Sequence, residues 1–434
     1  MSSRFIFLLI TLITLWVLAL NSGHDLAFSL AYLLSGVLIL SYFLAWSSTR
    51  SVGIRRFTRT QRSQVGQFVE EIFEVSNGGV LAKLWLEVED FSKLPGHSAS
   101  RVISSLGRNS SERWQIRTPC THRGRFRLGP MVLRSGDPLG IFDVEQDLPA
   151  TSNIVVYPLV VPLETFEPSV SDLSGGEARR QRTYQITTNV ATVRDYAPGD
   201  SLNRIHWPST ARARRLMTKE FELDPTADVW IYLDLYEGGQ FDLPWEVFPY
   251  QVGVFALSGN RNRKQRQVEL PPSTTEYGVT IAASLAHYFL DKDRAVGMTS
   301  YGKTREFLQS DRGERQKTKI LEGLAVVEGD GNLPFAQVIA TDSVRLNRND
   351  TILAISADPD PQWALALQDS QRRGINSIAV VIDGNTFGAS IDYVPVVSNF
   401  EATGLSYYMV ERGEPIATAL SKPANKTHRH MAVR

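Results

Sequence analysis

The sequence predicts three parts: two transmembrane helices, a small antiparallel β domain and a doubly wound α/β domain. Three observations predict them. Two uncharged apolar runs make up most of the first 47 residues, and short alternating strands separated by turn-forming residues follow. Apolar strands alternate with helical stretches from about residue 228. We therefore divide the chain into residues 1–47, 48–150, 151–227, 228–412 and 413–434, where the third part is a polar linker and the last a loose tail.

Residues 5–21 and 26–46 are the two apolar runs, and only a short polar turn lies between them. A helix of roughly 20 apolar residues spans a bilayer, so the runs predict a hairpin that crosses the membrane twice. Basic residues flank the open end of this hairpin and are absent from its turn: Arg4, Arg50, Arg55, Arg56, Arg59 and Arg62. Lys and Arg near membrane-spanning helices are enriched on the cytoplasmic side. We therefore expect a multi-pass protein of the inner (cytoplasmic) membrane whose termini and soluble domains are cytoplasmic.

The flanking arginines could also contact anionic headgroups of the lipid bilayer. An alternative for the first run is a cleaved signal peptide. The residues before Asn21 lack a small-x-small cleavage site, and the second run would remain as an anchor. The hairpin is therefore the prediction that we carry forward.

Charge and cysteine content exclude some classes of function. The chain of 434 residues has 46 basic and 46 acidic residues, so no global field favours nucleic acid, and we expect none to bind. The single cysteine, Cys120, cannot form an internal disulfide, which fits a reducing compartment. A hydrophobic content of 43% is sufficient for buried cores.

The β domain is predicted from alternating stretches such as residues 67–75 and 81–88, separated by the turn residues 77–79. The α/β domain is predicted from a strand at 229–234 and from elements that alternate after it. These are a helix at 276–290, a strand at 295–301, a charged helix, a strand at 351–356, a helix at 362–373, a strand at 375–382 and a last strand at 407–410.

The most informative stretch lies in the linker. Pro198 and Gly199 suit a type II turn, and Asp200 can cap a short helix that buries Ile205 and Trp207 on one side. Arginines surround that helix. The residues that we assign to this signature are Arg194, Tyr196, Gly199, Asp200, Ile205, His206, Trp207 and Arg212. Two interpretations stay open: a structural latch onto the neighbouring domain, or a site where the arginines receive an acidic partner segment.

This signature resembles that of the bacterial membrane family called domain of unknown function 58. The stretches RGRFRLGP at 123–130 and SGDPLG at 135–140 are similar to segments that precede it in the same family. The resemblance implies a two-helix anchor, a β-rich region and a von Willebrand factor A-like C-terminal domain. It also implies partnership with an ATPase of the MoxR type, within the AAA+ class.

The implied A-like domain raises the question of a metal site. Such domains often hold Mg²⁺ with Asp-x-Ser-x-Ser after the first strand and a later Asp, and oxygen ligands suit that cation. Here Asp234 keeps the first aspartate, Tyr236 and Gly238 replace the serines, and Asp358 follows a later strand. Hydroxyls before the next helix could replace the missing ones, namely Thr274 and Thr275. The alternative is that both carboxylates are solvated or cap strand ends.

Two further motifs are weak. Residues 297–304 satisfy the written phosphate-loop pattern, but we expect a strand to run through them. Residues 173–177 resemble the signature of ATP-binding cassette transporters but precede the candidate loop, which is the wrong order. No catalytic constellation is evident, so we expect a non-enzymatic interaction protein without a cofactor. The alternatives are a Mg²⁺-dependent ligand-binding module and nucleotide binding through 297–304.

Overall fold

A computed structural model of the chain describes residues 3–149, 151–166, 190–196, 205–221, 227–245 and 270–424. These residues form two compact units. The first unit holds the described residues up to Leu159, and the second holds those from Val160 onward. The hairpin and the β domain therefore belong to one unit.

The hairpin consists of α1 (Ser3–Ser22) and α2 (Asp25–Thr49). Both helices are long and apolar enough to cross a membrane, with a hydropathy of 2.3 for Arg4–Ser22 and 2.0 for α2. Ala27 and Ala31 of α2 are buried, and such small residues allow two helices to approach closely. Trp16 Nε1 donates a hydrogen bond of 3.3 Å to Ser35 Oγ. The two predicted apolar helices are confirmed.

The β domain contains three sheets, ordered β1-β3-β6, β2-β10-β7 and β5-β4-β8-β9. Their strands are β1 (Val52–Thr58), β2 (Arg62–Gln64), β3 (Phe68–Asn77), β4 (Leu86–Asp90), β5 (Arg101–Ile103), β6 (Ser111–Pro119), β7 (Gly124–Leu128), β8 (Met131–Gly136), β9 (Asp143–Leu148) and β10 (Ser152–Tyr157). All strand pairs are antiparallel except β2 with β10. One core contains Phe73 and Leu133, and a second contains Val69 and Ile154.

A buried charged cluster joins β1, β3 and β4 in this domain. Arg56 Nη2 lies 2.7 Å from Asp90 Oδ2, and Arg56 Nε lies 3.2 Å from Glu71 Oε1. His97 Nε2 lies 2.8 Å from the same Asp90 oxygen, and its Nδ1 lies 2.8 Å from Thr118 Oγ1. We had counted Arg56 with the arginines that could contact lipid headgroups. This expectation is wrong, because the Arg56 side chain is only 3% exposed.

The second unit is built around a six-stranded sheet ordered β15-β14-β13-β16-β17-β18, after a two-stranded sheet of β11 and β12. In the large sheet only β15 runs antiparallel to its neighbour. The elements are β11 (Val190–Asp195), α3 (Trp207–Ala213), β12 (Met217–Phe221), β13 (Val229–Leu233), α4 (Thr274–Asp291), β14 (Val296–Tyr301), β15 (Arg305–Asp311), α5 (Gly313–Val326), α6 (Phe335–Asp342), β16 (Thr351–Ser356), α7 (Gln362–Arg372), β17 (Asn376–Ile382), α8 (Val394–Thr403), β18 (Ser406–Val410) and α9 (Ile416–Ala419).

Helices cover both faces of this sheet. Alternate residues of β13 point to opposite faces, as strand geometry requires. Ile231 and Leu233 join one core with α4 and α5, whereas Trp230 and Tyr232 join another core with α6, α7 and α8. Because both faces are buried, the strands are apolar throughout rather than alternating. The predicted doubly wound α/β architecture is therefore seen in the structure.

Two parts of this unit differ from the prediction. The sequence did not predict β15, where Phe307 stacks on the Trp230 ring at 5.4 Å between centroids, nor did it predict α6. A loose tail from residue 413 onward is also wrong for α9. Ile416 is 5% exposed and Leu420 is fully buried, because both pack into the core beside α4. The sequence analysis predicted a loose tail because most residues around these two apolar side chains are polar.

Candidate functional site

The candidate site lies at the carboxyl ends of β13 and β16, which are parallel neighbours in the centre of the sheet. Asp234 directly follows β13, and Ser356 is the last residue of β16. The helix after β13 packs on one face of the sheet and the helix after β16 packs on the other. Strand order reverses at this point, and open α/β sheets bind ligands in the crevice that the reversal creates.

Ser356 links the Asp234 carboxylate to the backbone of Asp358. The Asp358 carboxylate itself accepts a hydrogen bond of 2.9 Å from the Asp360 N–H. Ser356 Oγ donates a hydrogen bond of 2.6 Å to Asp234 Oδ2, and it accepts one of 2.9 Å from the backbone N–H of Asp358. Asp234 Oδ1 accepts a bond of 2.9 Å from the Tyr236 N–H. Asp234 is 4% exposed and Asp358 is 7% exposed. The structure thus brings Asp234 and Asp358 together in a closed site, as the sequence spacing alone could not show.

The two threonines lie beside this site, joined to it by Gln240. Thr274 Oγ1 and Thr275 Oγ1 donate to Gln240 Oε1 at 2.9 and 3.0 Å. Gln240 Nε2 donates to the Asp234 carbonyl at 3.1 Å. The sequence analysis did not predict Gln240 as a residue of this site, because no motif around it indicates a binding role. Its role depends on a loop that returns to the strand end.

Burial changes the acidity of both carboxyls. It raises the pKa of Asp234 to about 7, the nearby Asp358 charge adds to this, and the bonds from Ser356 and Tyr236 oppose it. Burial also raises the pKa of Asp358. A buried anion of this kind is stabilised by a cation, and two carboxylates with the Ser356 hydroxyl suit a hard ion such as Mg²⁺. Within the described residues, no group of three or more His, Cys, Asp or Glu side chains could hold a metal.

In the described part of the signature segment, β11 and β12 form a two-stranded sheet, and α3 lies between them in the sequence. β11 pairs antiparallel with β12, and the Tyr196 N–H donates to the Leu216 carbonyl at 2.9 Å. The His206 N–H donates to the Met217 carbonyl at 2.8 Å, and Ile205 is 5% exposed. Tyr196, Ile205 and His206 therefore hold the segment together through backbone bonds and burial. Gly199, Asp200 and the Arg194 side chain lie outside what the structure describes.

Trp207 was predicted to be buried beside Ile205, and this prediction is wrong. The Trp207 side chain is 66% exposed, because α3 has only seven residues and none of them is buried. Its N-cap is His206, with a proline in the first turn. Arg212 is also exposed in the last turn of α3. The segment thus presents an indole and a guanidinium to the solvent.

The phosphate-loop pattern is an ordinary strand and turn. β14 runs through residues 297–301 and pairs with both β13 and β15. Lys303 lies in the turn that follows, where its Nζ is 2.8 Å from Asp330 Oδ2. A phosphate loop needs a helix directly after its lysine, and here β15 follows instead. The cassette-like residues 173–177 lie outside the described residues.

Residues 192–243 match the family described as "Protein of unknown function DUF58". The predicted resemblance to DUF58 is confirmed. The DUF58 match extends from β11 through α3 and β12 to β13 and the residues after it, so it includes both Trp207 and Asp234. These two residues are therefore part of one family segment.

A curated relative is similar over a longer region. The uncharacterized protein YeaD of Bacillus subtilis (strain 168) is 23% identical over 216 residues. This region is 50% of the present chain and 46% of YeaD, so the chain spans about half the length of that relative.

Solved structures show only remote likeness. The CARDB domain of the PF1109 protein from Pyrococcus furiosus has 15% identity and a TM-score of 0.20, covering 24% of this chain and 86% of that domain. The alkylpurine DNA glycosylase AlkC of Pseudomonas fluorescens has 17% identity and a TM-score of 0.16, covering 32% and 42%. At these scores neither structure informs fold or function.

Proposed function

We propose that this protein is a non-enzymatic, membrane-anchored interaction protein whose signature segment binds a cytoplasmic partner. The observation that carries the proposal is the 66% exposure of Trp207 within the DUF58 segment. Tryptophan and arginine are the residues that most often dominate binding energy at protein interfaces. An exposed indole and an exposed Arg212 on the same short helix are therefore better suited to a partner than to a latch.

The charge around α3 indicates the chemistry of the partner. Arg212, Arg214 and Arg215 are exposed, and Arg215 Nε lies 3.0 Å from Asp195 Oδ1. α3 itself contains no acidic residue. Guanidinium groups bind carboxylates in a bidentate manner, and an indole packs on apolar or aromatic side chains. The segment fits an acidic partner surface that also offers an apolar residue.

The family resemblance suggests the identity of this partner, an ATPase of the MoxR type within the AAA+ class. The strand order with one antiparallel edge strand supports a von Willebrand factor A-like domain as the body that presents α3. The hairpin of α1 and α2 supports an anchor in the cytoplasmic membrane with both termini inside. Within this proposal the complex serves protein assembly or envelope maintenance.

The test is binding of the full chain, reconstituted in nanodiscs, to the purified MoxR-type ATPase of the same organism. We expect Trp207→Ala to weaken binding at least 30-fold, since a hot spot contributes about 2 kcal/mol or more. Arg212→Ala should act in the same direction. Two exposed residues elsewhere in the second unit serve as matched controls, Leu333→Ala and Arg315→Ala, and should leave binding unchanged.

Two outcomes would refute the proposed interaction. One is an ATPase that neither binds the wild-type chain nor changes its ATP turnover. The other is a Trp207→Ala variant that binds as tightly as the Leu333→Ala control. Reporter fusions after Arg62 supply the topology, and a signal outside the cytoplasm would contradict the anchor orientation.

A second candidate function is Mg²⁺-dependent ligand binding at Asp234, Ser356 and Asp358. The observation in its favour is the buried Asp234 carboxyl at the switch point of the sheet, next to a second carboxyl. Calorimetric titration with Mg²⁺ tests it. Binding heat that disappears in Asp234→Ala supports the site, and equal heat in both proteins argues against it.

A further inference from the structure

We propose that the loop between β8 and β9 docks the β domain into the cytoplasmic leaflet and, with the start of α1, binds an anionic phospholipid. We call residues 137–142 the interfacial loop. The inference rests on the membrane anchor in the proposed function and is independent of the partner. The loop contains residues 137–140 of the SGDPLG stretch, and the proposed function gives this stretch no role.

The interfacial loop lies at the open end of the hairpin. The Phe142 ring is 5.1 Å from the Phe5 ring and 5.7 Å from the Tyr42 ring, measured between centroids. Phe5 is in the first turn of α1, and Tyr42 is near the end of α2. In a membrane hairpin this level is the boundary between acyl chains and headgroups, where aromatic residues concentrate. The loop is therefore at the height of the lipid interface.

Asp137 holds the interfacial loop in one shape. Its carboxylate accepts backbone hydrogen bonds from Leu139 at 2.9 Å, Ile141 at 2.8 Å and Phe142 at 2.7 Å. Ile141 is 5% exposed as a result, whereas Leu139 is 60% exposed. A leucine fixed in an exposed position in water forgoes most of the favourable free energy of burying its side chain. At the lipid interface the same geometry inserts Leu139 among acyl chains.

A cavity adjoins this leucine and has the chemistry of a phospholipid site. It has a volume of about 420 Å³ and is lined by Arg4, Phe7, Leu8, Leu139 and Ile141. Four of these residues are apolar and suit an acyl chain, and Arg4 is a cation at headgroup level. Arg4 Nη1 donates a hydrogen bond of 3.4 Å to the Gly140 carbonyl, which fixes the guanidinium at the interfacial loop. The positive charge of Arg4 attracts the phosphate of a lipid headgroup, as cations near an anionic leaflet do. The occupant is thus an anionic phospholipid of the bilayer.

Depth measurements test the docking. Cys120 is buried, so Cys120→Ser provides a background for single spin labels on the full chain in nanodiscs. We compare labels at Leu139→Cys, Ile13→Cys in the middle of α1, and Leu333→Cys in the second unit, all exposed positions. Docking at the boundary predicts a label at 139 that lies between the two references, with clearly lower aqueous nickel-chelate accessibility than Leu333→Cys and lower oxygen accessibility than Ile13→Cys.

The two reference labels distinguish failure of the loop docking from failure of the membrane anchor. A label at 139 as accessible to nickel as Leu333→Cys, while Ile13→Cys stays in lipid, would overturn the docking and leave the anchor intact. All three labels accessible to nickel would overturn the anchor itself, and with it the membrane part of the proposed function.

Lipid selectivity tests the cavity. A fluorophore on Ile6→Cys, an exposed position of α1 that does not line the cavity, is quenched by trace doxyl-labelled phosphatidylglycerol or phosphatidylcholine in phosphatidylcholine nanodiscs. We expect about fivefold stronger local enrichment of the anionic lipid, which Arg4→Gln abolishes. Arg113→Gln, whose side chain is 69% exposed in the β domain and which is not one of the flanking arginines, should preserve it. Equal quenching by both lipids in the labelled protein without further substitution would refute the phospholipid site. Loss of selectivity on adding glycerol phosphate would also refute it and would indicate that the cavity binds a free phosphate ligand.

Discussion

Replacing Arg56 by methionine should strongly destabilise the β domain. The Arg56 side chain is 3% exposed and contacts Glu71 and Asp90, which are 1% and 0% exposed. Arg56→Met keeps most of the side-chain volume but leaves two buried carboxyls with one fewer cation. Removing one partner from a buried ion pair costs about 3–5 kcal/mol, which multiplies the equilibrium constant for opening by roughly 10² to 10³·⁵.

The loss should grow with pH. Burial raises the pKa of Glu71 although the charges of Arg56 and His97 lower it. Burial also acts to raise the pKa of Asp90, but hydrogen bonds from His97 and Ser92 and the Arg56 charge outweigh it, so this pKa is lowered. Without Arg56 both carboxyls keep their protons to higher pH in the folded state. The free energy of unfolding of Arg56→Met therefore falls, relative to the wild type, as pH rises above the ordinary carboxyl pKa values of 3.8 for Asp90 and 4.5 for Glu71.

Hydrogen exchange of the peptide that covers β3 measures this loss in the full chain. Arg59→Met is the matched control, since the Arg59 side chain is 80% exposed and lies 3.2 Å from Glu70. Exposed pairs of this kind contribute about 0–1 kcal/mol. Equal exchange rates in the two variants would refute the view that the buried cluster stabilises the domain.

Two further predictions concern the second unit. Because the pKa of Asp234 is about 7 when folded and ordinarily 3.8, its ionisation lowers stability as pH rises between these values and adds no further loss above 7. Asp234→Asn should therefore melt at a higher temperature than the wild type at pH 8 and lose that pH dependence; a constant difference from pH 4 to 8 would contradict this. Arg305→Leu removes the guanidinium 2.6 Å from the buried Asp342 and should cost about 1–3 kcal/mol in the same melting assay. The control Lys303→Leu breaks a pair whose lysine is 77% exposed, so a similar loss there would count against burial as the cause.

Part of the candidate site could be predicted from the sequence. A strand that ends in a carboxylate places that carboxylate at the sheet edge, so Asp234 and Asp358 were identifiable from their position after apolar runs. Which strands are neighbours was not identifiable. The contact of Ser356 with Asp234 joins residues 122 positions apart, and the Gln240 bridge to both threonines depends on how one loop folds back.

Burial of individual side chains was the least predictable property. Arg56 looks like a topology signal in the sequence, and the structure places it inside a charged cluster. Trp207 looks like a core residue, and the structure exposes it on a short helix. Residue type gives the average tendency of a side chain to be buried. Whether an individual side chain is buried depends on residues that are distant in sequence and pack against it in the folded protein.

By itself, the sequence determined the two apolar helices, the alternation of strands and helices and the DUF58 resemblance, because hydrophobic length and period are local properties of the chain. Only the tertiary structure decided that the interfacial loop meets Phe5 and Tyr42, and that Trp207 faces the solvent. Such contacts join residues far apart in sequence. Their geometry depends on packing of whole elements, which no local pattern specifies.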